Sequence, residues 1–332
     1  TGKVEEGQGS RAQISQAAAE ELHVDVDKVR LIMADTALVP DDGITAGSRT
    51  TPSTVPDVRR GAATARQLLL QIAAKQWHCD AGELVVQNGT ITNPTTNKET
   101  TYAAMAGTKE LSDSFGQAIP DDAQLKALPS WEVLGTSVSR PNARDLVTGS
   151  HRFPSDIARP RMLYGKILRP PSYGATLDEI DLTRAESLPG VVVVKDKSFI
   201  GFVAPTTYQA EQALAAAAAT AKWREVDHVS SDQLFQNLVR HQRPRRSRNE
   251  EAVRDALATA MHVVDEQYEI AYVQHAPMEP RAATADWKND QLTVWTGVDG
   301  PQRVQGDLAR AFGMSTANVR VIVPDMGGGF GG

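Results

Sequence analysis

The chain has 332 residues, 41% of them hydrophobic and 23% charged, with a formal net charge of −6. That is material for about two or three globular domains with a sizeable core; the acidic balance argues against a general nucleic-acid binder, and no apolar window is long enough to span a membrane. A single cysteine, Cys79, excludes a disulfide framework, a zinc ribbon and any iron–sulfur cluster built by this chain alone.

In chain order, "SRAQISQAAAEEL" (10–22) reads as a helix. Ser10 and Gln13 have capping-box spacing, and Ile14, Ala17, Ala18 and Leu22 share a face. "VRLIMAD" (29–35) reads as a buried strand, and 36–54 as loop from its Pro, Gly, Ser and Thr content. Residues 58–77 form a second helix, and "ELVVQNGTIT" (83–92) a hairpin turning at Asn88-Gly89. The pattern dissolves around 107–130, which marks a boundary.

Strands are expected at 162–171 and 190–196 and an alanine-rich helix at 207–223, so 131–228 reads as an α+β domain. The run "RHQRPRRSRNEE" (240–251) gathers five arginines around a proline, as a solvated linker or a docking patch for an acidic partner. Strands follow at 262–273 and 291–296. The helix expected at 301–312 has Pro301 in its first turn, Gly313 just past its end, and a buried stripe of Val304, Leu308, Ala311 and Phe312. The chain closes on a strand and the loop "PDMGGGFGG".

Three loops are poor in side chains and rich in donors. In the closing loop, bare glycine lets main-chain N–H groups approach a ligand closely. Gly327, Gly329 and Gly332 also satisfy G-x-G-x-x-G after a strand, so a nicotinamide-dependent dehydrogenase is one alternative, and a tight bend in a large sheet another. "EGQGSR" (6–11) places two glycines and the Gln8 amide before a helix, where free N–H groups and the macrodipole make an anion site. "TAGSRT" (45–50) is again small and hydroxyl-rich, with an arginine. Together they point to a large anionic ligand held mainly by backbone.

"GKVEEGQGSRAQISQAAAEEL" and "RLIMADTALVPDDGITAGSRTTPS" resemble the cofactor-carrying large subunit of molybdenum hydroxylases, the family of xanthine dehydrogenase, aldehyde oxidoreductase and isoquinoline 1-oxidoreductase. Residues 146–194 resemble its a/b hammerhead domain, and "YVQHAPMEPRAATADW" (272–287) and "VRVIVPDMGGGFGG" are similar to two further stretches. The order of these motifs is closest to the isoquinoline 1-oxidoreductase β-subunit type. The resemblance implies an α+β, multi-domain fold of mixed sheets with packed helices. It implies a molybdopterin-contacting segment over 1–128, the hammerhead domain over 131–228 and the start of the main molybdopterin-binding domain over 250–332. It also implies a molybdopterin, as its cytosine dinucleotide, whose dithiolene holds the molybdenum so that no protein residue ligates the metal.

By motif matching, Gln8, Gly9, Ala46, Gly47 and Ser48 hold the pterin and its phosphates, while Gly329, Phe330 and Gly331 lie at the metal's oxo or water ligand and the substrate. Glu279 and Phe330 are candidates for the substrate channel; for Glu279 a salt-bridged surface carboxylate is the competing reading. His275 reads as a structural histidine rather than a base. At the head of the 301–312 helix the family commonly carries a Thr-Gln pair, and here the matching pair is Val298-Asp299.

The implied reaction is hydroxylation of an electron-poor carbon, in an aldehyde or an N-heterocycle, with water as the oxygen source. Electrons leave through [2Fe-2S] clusters in a separate iron–sulfur small subunit. Both chain ends read as internal to a longer protein, with the family's basic glutamate beyond residue 332, so the chain alone is expected to be inactive. A non-catalytic or degenerate cofactor-binding remnant is the alternative from another class. The compartment, cytoplasm or periplasm, is left open.

Overall fold

The computed structural model describes residues 1–114, 119, 123–243 and 249–331. In chain order the elements begin with α1 (Ser10–Leu22), α2 (Val55–Trp77), β1 (Val85–Gln87), β2 (Thr90–Asn93), β3 (Lys98–Thr101), α3 (Tyr102–Met105), α4 (Lys109–Ser114) and α5 (Ala143–Thr148). Next come β4 (Tyr164–Ile167), β5 (Thr176–Glu179), α6 (Thr183–Glu186), β6 (Val192–Asp196), β7 (Phe199–Ala204), α7 (Thr207–Ala218) and β8 (Lys222–Arg224). The series closes with α8 (Leu234–Arg240), α9 (Glu250–Thr259), β9 (Ala283–Lys288), β10 (Gln291–Thr296), α10 (Pro301–Phe312) and β11 (Val319–Ile322). The architecture is α+β, and the chain divides into two compact units, Thr1–Ala158 with Gln274–Gly332, and Arg159–Val273.

In the first unit, β9, β10 and β11 form a sheet in the order β11-β10-β9, antiparallel at β9/β10 and parallel at β10/β11, with α10 as the crossover. Pro301 opens α10, and Gly313, at φ 63°, closes it in the left-handed conformation that glycine adopts without strain. The core joins Val4, Ile14 of α1, Met33, Leu292, Val294, Ala309, Val319, Val321 and Val323, so the first residues of the chain pack against β10 and β11. A second core packs α2 through Leu69, Ile72 and Ala73 on Leu84, Ile91 and Met105. Beneath it, β1 and β2 turn at Asn88 (φ 50°) and Gly89 (φ 81°), the Asn-Gly hairpin the sequence predicts.

The tail of α1 is more buried than its charge suggests. Glu20 accepts from the N–H groups of Glu132, Val133 and Leu134, and Lys126 lies 2.8 Å from it. Glu21 takes the Arg59 guanidinium at 2.6 Å. Each carboxylate is buried only because its partners replace the lost water.

The second unit stacks α7 against the antiparallel sheet β4-β7-β6, beside the pair β5-β8. Ala210, Ala213 and Ala217 are buried at helical spacing, and the small side chains let α7 approach Ile200 and Phe202 of β7 closely.

Several expectations are corrected. The helix at 207–223 stops at Ala218, because Trp223 leaves to pair with Leu177 in the β5/β8 ladder. Residues 29–35 form no strand; a single bridge, Asp35 to Ile322, is the regular contact. Residues 262–273 are exposed and unpaired, since a strand needs a ladder partner and none is supplied by the described residues. On α10 the buried positions are Pro301 and Ala309; Val304 and Leu308 of the expected stripe pack half-buried against the core, whereas Ala311 is exposed and Phe312 is 55% exposed and meets Trp287 edge-on at 5.4 Å. Ser10 is not the cap of α1. Gly9 holds that position at φ 86°, and the Ser10 hydroxyl turns back to Val4 O at 3.4 Å.

Candidate functional site

The first unit gathers its three glycine- and donor-rich loops around one short stretch of main chain. Val4 N–H donates to Thr45 Oγ1 at 2.9 Å, and Glu5 O accepts from Met326 N–H at 2.9 Å. Residues 4 and 5 therefore tie the 45–50 loop on one side to the closing glycine loop on the other. Thr45 N–H also donates to Asp299 O at 2.8 Å, which brings in the head of α10. Arg11 of α1 pairs with Asp325 at 2.5 Å, and Asn142 Nδ2 donates to the same carboxylate at 2.7 Å.

The helix start that sequence reads as an open anion site is closed from within. Glu5 Oε1 accepts from Gly7 N–H at 3.0 Å and Gly9 N–H at 2.9 Å, and Oε2 accepts from Arg11 N–H at 2.8 Å. Arg140 adds a contact at 3.2 Å. The carboxylate sits where a phosphate would sit at a helix N-terminus, for the same electrostatic reason. Gln8 is also partly spent: its Oε1 accepts from Glu6 N–H at 2.5 Å, and its Nε2 donates to Val4 O at 3.1 Å. One amide hydrogen remains on this exposed side chain.

The 45–50 loop remains open. Among the described residues none accepts a hydrogen bond from the main-chain N–H of Ala46, Gly47 or Ser48. Gly47 (φ 61°) and Ser48 (φ 54°) are both left-handed. Ala46, Gly47 and Arg49 line a cleft of about 870 Å³ with Lys3, Asp42 and Ser53. The turn Thr50–Thr54 follows and leads directly into the 23-residue α2. A long helix dipole thus ends at this cleft.

The glycine loop is crowded at its first residue. A Cβ on Gly327 would lie 2.7 Å from Glu279 Cβ, so only glycine fits. Glu279 Oε2 accepts from Gly327 N–H, while its Oε1 is buried without a partner. Glu6 comes in beside the next glycines, its Oε2 3.4 Å from where a Gly329 Cβ would be. Its Oε1 is likewise buried and unpartnered. Burial, then the nearby charges of Asp299 and Glu5, push the Glu6 carboxyl up to about 7. Phe330, left-handed at φ 53°, folds over Gly328 and is 71% exposed, and His275 Nε2 lies 3.7 Å from the Cβ position of Gly331.

The structure therefore brings Ala46 and Gly47 to an open cleft, with Ser48 between Gly47 and Arg49 but not in its lining, and Gly329, Phe330, Gly331 and Glu279 to one loop, both tied to residues 4–6. Gly9 it commits to Glu5. Gly332, the third glycine of the dinucleotide motif, lies outside the described residues, as do 244–248 of the arginine run. Sequence reasoning missed Glu5 and Glu6. The signal for Glu5 was a carboxylate placed just before two glycines and a helix start; Glu6 had none, because burial decides its role.

Two families of molybdopterin cofactor-binding domain match the chain, one over residues 1–146 and the other over 232–332. One subunit of the nicotinate dehydrogenase of Pseudomonas putida is 30% identical over 99% of this chain and 28% of its own length. The β-subunit of isoquinoline 1-oxidoreductase from Brevundimonas diminuta is 26% identical over 99% of this chain and 48% of its own length. Among solved structures, quinoline 2-oxidoreductase from Pseudomonas putida 86 is 25% identical, with TM-score 0.47, over 59% of this chain and 30% of that one. The chain spans less than half the length of these two curated relatives. These matches define a molybdopterin-binding protein. The chain belongs to the molybdenum hydroxylase family.

The residues present fit a molybdopterin. Unpaired N–H groups, Arg49 and a helix start suit a pyrophosphate, while Asp41, Asp42 and Asp57 place three carboxylates in the same lining; a glycine loop with two unpartnered carboxyl oxygens suits a polar group lying against it.

Proposed function

We propose that this chain is the cofactor-holding part of the large subunit of an oxidoreductase that hydroxylates a small molecule with water as the oxygen source. The observation that carries this reading is the pair of bonds at Val4 and Glu5, which join the open 45–50 loop and the glycine loop to one strand of main chain. The N–H groups of Ala46, Gly47 and Ser48, with Arg49 and the start of α2, take the pyrophosphate of a molybdopterin cytosine dinucleotide. Gln8, through its remaining amide hydrogen, and the Gly9 main chain flank the pterin. Gly329, Phe330 and Gly331 lie at the metal end.

When bound, the cofactor supplies the two-electron redox chemistry. The chain's own residues orient and shield. Glu279 fixes Gly327 with one oxygen and keeps the other for the substrate channel, and the exposed Phe330 ring offers a flat apolar surface to substrate. The substrate class is an N-heteroaromatic ring or an aldehyde; of the three relatives matched over 99% of the chain, two bear the names of N-heteroaromatic compounds and one that of an aldehyde dehydrogenase. Electrons pass to [2Fe-2S] clusters in a partner small subunit, since one cysteine cannot build a cluster here. Residues 131–228 correspond to the hammerhead domain.

Purification from a host that makes molybdopterin tests the reading. Molybdenum should co-purify in proportion to protein, and acid should release a cytosine nucleotide; protein free of molybdenum overturns it. The acidic crowd of Glu5, Glu6 and Asp299 at the glycine loop favours one rival, a non-catalytic cofactor carrier. Assay of the chain with its cofactor and iron–sulfur partner separates catalytic completeness from binding, and substantial turnover would overturn the expected inactivity.

A further inference from the structure

Glu6 is not accounted for by holding the fold. Its Oε1 is buried with no partner, its Oε2 faces Gly329, and its main-chain O lies 3.5 Å from the Cβ position of Gly328. The charged groups on every side are unhelpful to a carboxylate. Glu5 is adjacent in sequence, and Asp299 approaches from the turn before α10. Arg140 is engaged by Glu5 and Arg11 by Asp325, and the glycine loop brings no cation. Glu279 and His275 meet the same loop at Gly327 and Gly331. A half-buried carboxyl with one oxygen shut away in that company is favoured in its neutral form, and a neutral carboxyl is a donor where an ionised one only accepts.

We propose that Glu6 is a positioning residue whose neutral carboxyl donates an O–H hydrogen bond to an anionic group lying against Gly329, and whose ionisation loosens that ligand. This deepens the cofactor reading and rests on it. The proton linkage makes cofactor retention depend on pH around 7, the value to which burial, Asp299 and Glu5 raise this carboxyl.

The test uses protein purified with its cofactor, exchanged into buffer at about pH 6 or about pH 8.5, either side of that value, with retained molybdenum and pterin measured. Wild type should retain several-fold less at the higher pH. Glu6→Gln, an amide donor at every pH, should retain as much as wild type does at the lower pH and show no pH dependence. In glutamate-labelled protein without cofactor, the carboxyl resonance absent from Glu6→Gln should titrate at about 7. Asp299→Asn provides a second variant that leaves Glu6 in place, and it should move both the titration and the loss of cofactor to lower pH. Equal retention by wild type at both pH values overturns the inference, as does pH dependence that survives in Glu6→Gln or a carboxyl titrating near its ordinary 4.5. Protein that holds no molybdenum at either pH, wild type and variant alike, overturns the cofactor reading and this inference with it, so the two failures are told apart.

Discussion

The two loops that precede α1 and α2 look alike in sequence and behave oppositely. "EGQGSR" and "AGSRTT" are both small, donor-rich leads into a helix. In the first, Glu5 reaches forward and fills the turn, accepting from three N–H groups at 2.8–3.0 Å. In the second no described carboxylate does so: the N–H groups of Ala46, Gly47 and Ser48 have no described acceptor, and Ala46 and Gly47 line a cleft of about 870 Å³. An anion site at a helix start is thus defined as much by which acid precedes it as by its glycines. One loop is a clamp and the other a receptacle.

The sharpest way to break this contrast is to empty the clamp. Glu5→Ala leaves three N–H groups and Arg140 without their buried acceptor and should cost about 3 kcal/mol in urea unfolding. Glu5→Gln keeps one acceptor oxygen and should recover part of that. A loss below about 1 kcal/mol would show that α1 does not depend on this carboxylate.

The receptacle should respond the other way. Arg49 makes no ion pair with a described residue and lines the cleft, so Arg49→Ala should change stability by less than about 0.5 kcal/mol. Losing a charge-assisted contact to a pyrophosphate, about 2 kcal/mol, should weaken cofactor or inorganic pyrophosphate binding by more than tenfold in a titration at low salt. If Arg49→Ala destabilises the protein and leaves binding intact, the two loops have been assigned the wrong way round.

What could be seen in the sequence follows from what is local. α1 and α10 were legible to the residue, because 3.6-residue periodicity, Pro301 and Gly313 act within a few positions. The cap of α1 was not, since Ser10 fits the usual pattern while the working carboxylate lies upstream of the cap, across two glycines. Residues 262–273 carry β-branched and aromatic side chains suited to a strand, yet a ladder needs a neighbour and the local pattern cannot specify one. Trp223 shows the converse: an alanine run argues for helix until a distant pairing with Leu177 overrides it. At the site, family resemblance pointed to the glycine loop and to 46–48. The bonds through Val4 and Glu5 that join them are long-range, and no local pattern contains them.

The smallest expected effect sharpens the same contrast, because it asks whether acids around the glycine loop stabilise or strain it. Glu5 has its oxygens satisfied by N–H groups; Glu6 keeps one oxygen without a partner. For a carboxyl raised from 4.5 to about 7, the folded state binds more protons than the unfolded state between those values, so stability falls as pH rises through that window and is level above it. A fully shielded shift of that size would correspond to about 3 kcal/mol; Glu6 is half-buried, and solvent screening reduces the expectation to about 1 kcal/mol. Glu6→Gln cannot titrate. Measured by urea unfolding, its stability relative to wild type should therefore grow from pH 5 to pH 7 and then stay constant. A gap that is the same at every pH would mean Glu6 ionises as an ordinary surface acid, and the glycine loop would then lie between two tolerated charges instead of one clamp and one reluctant acid.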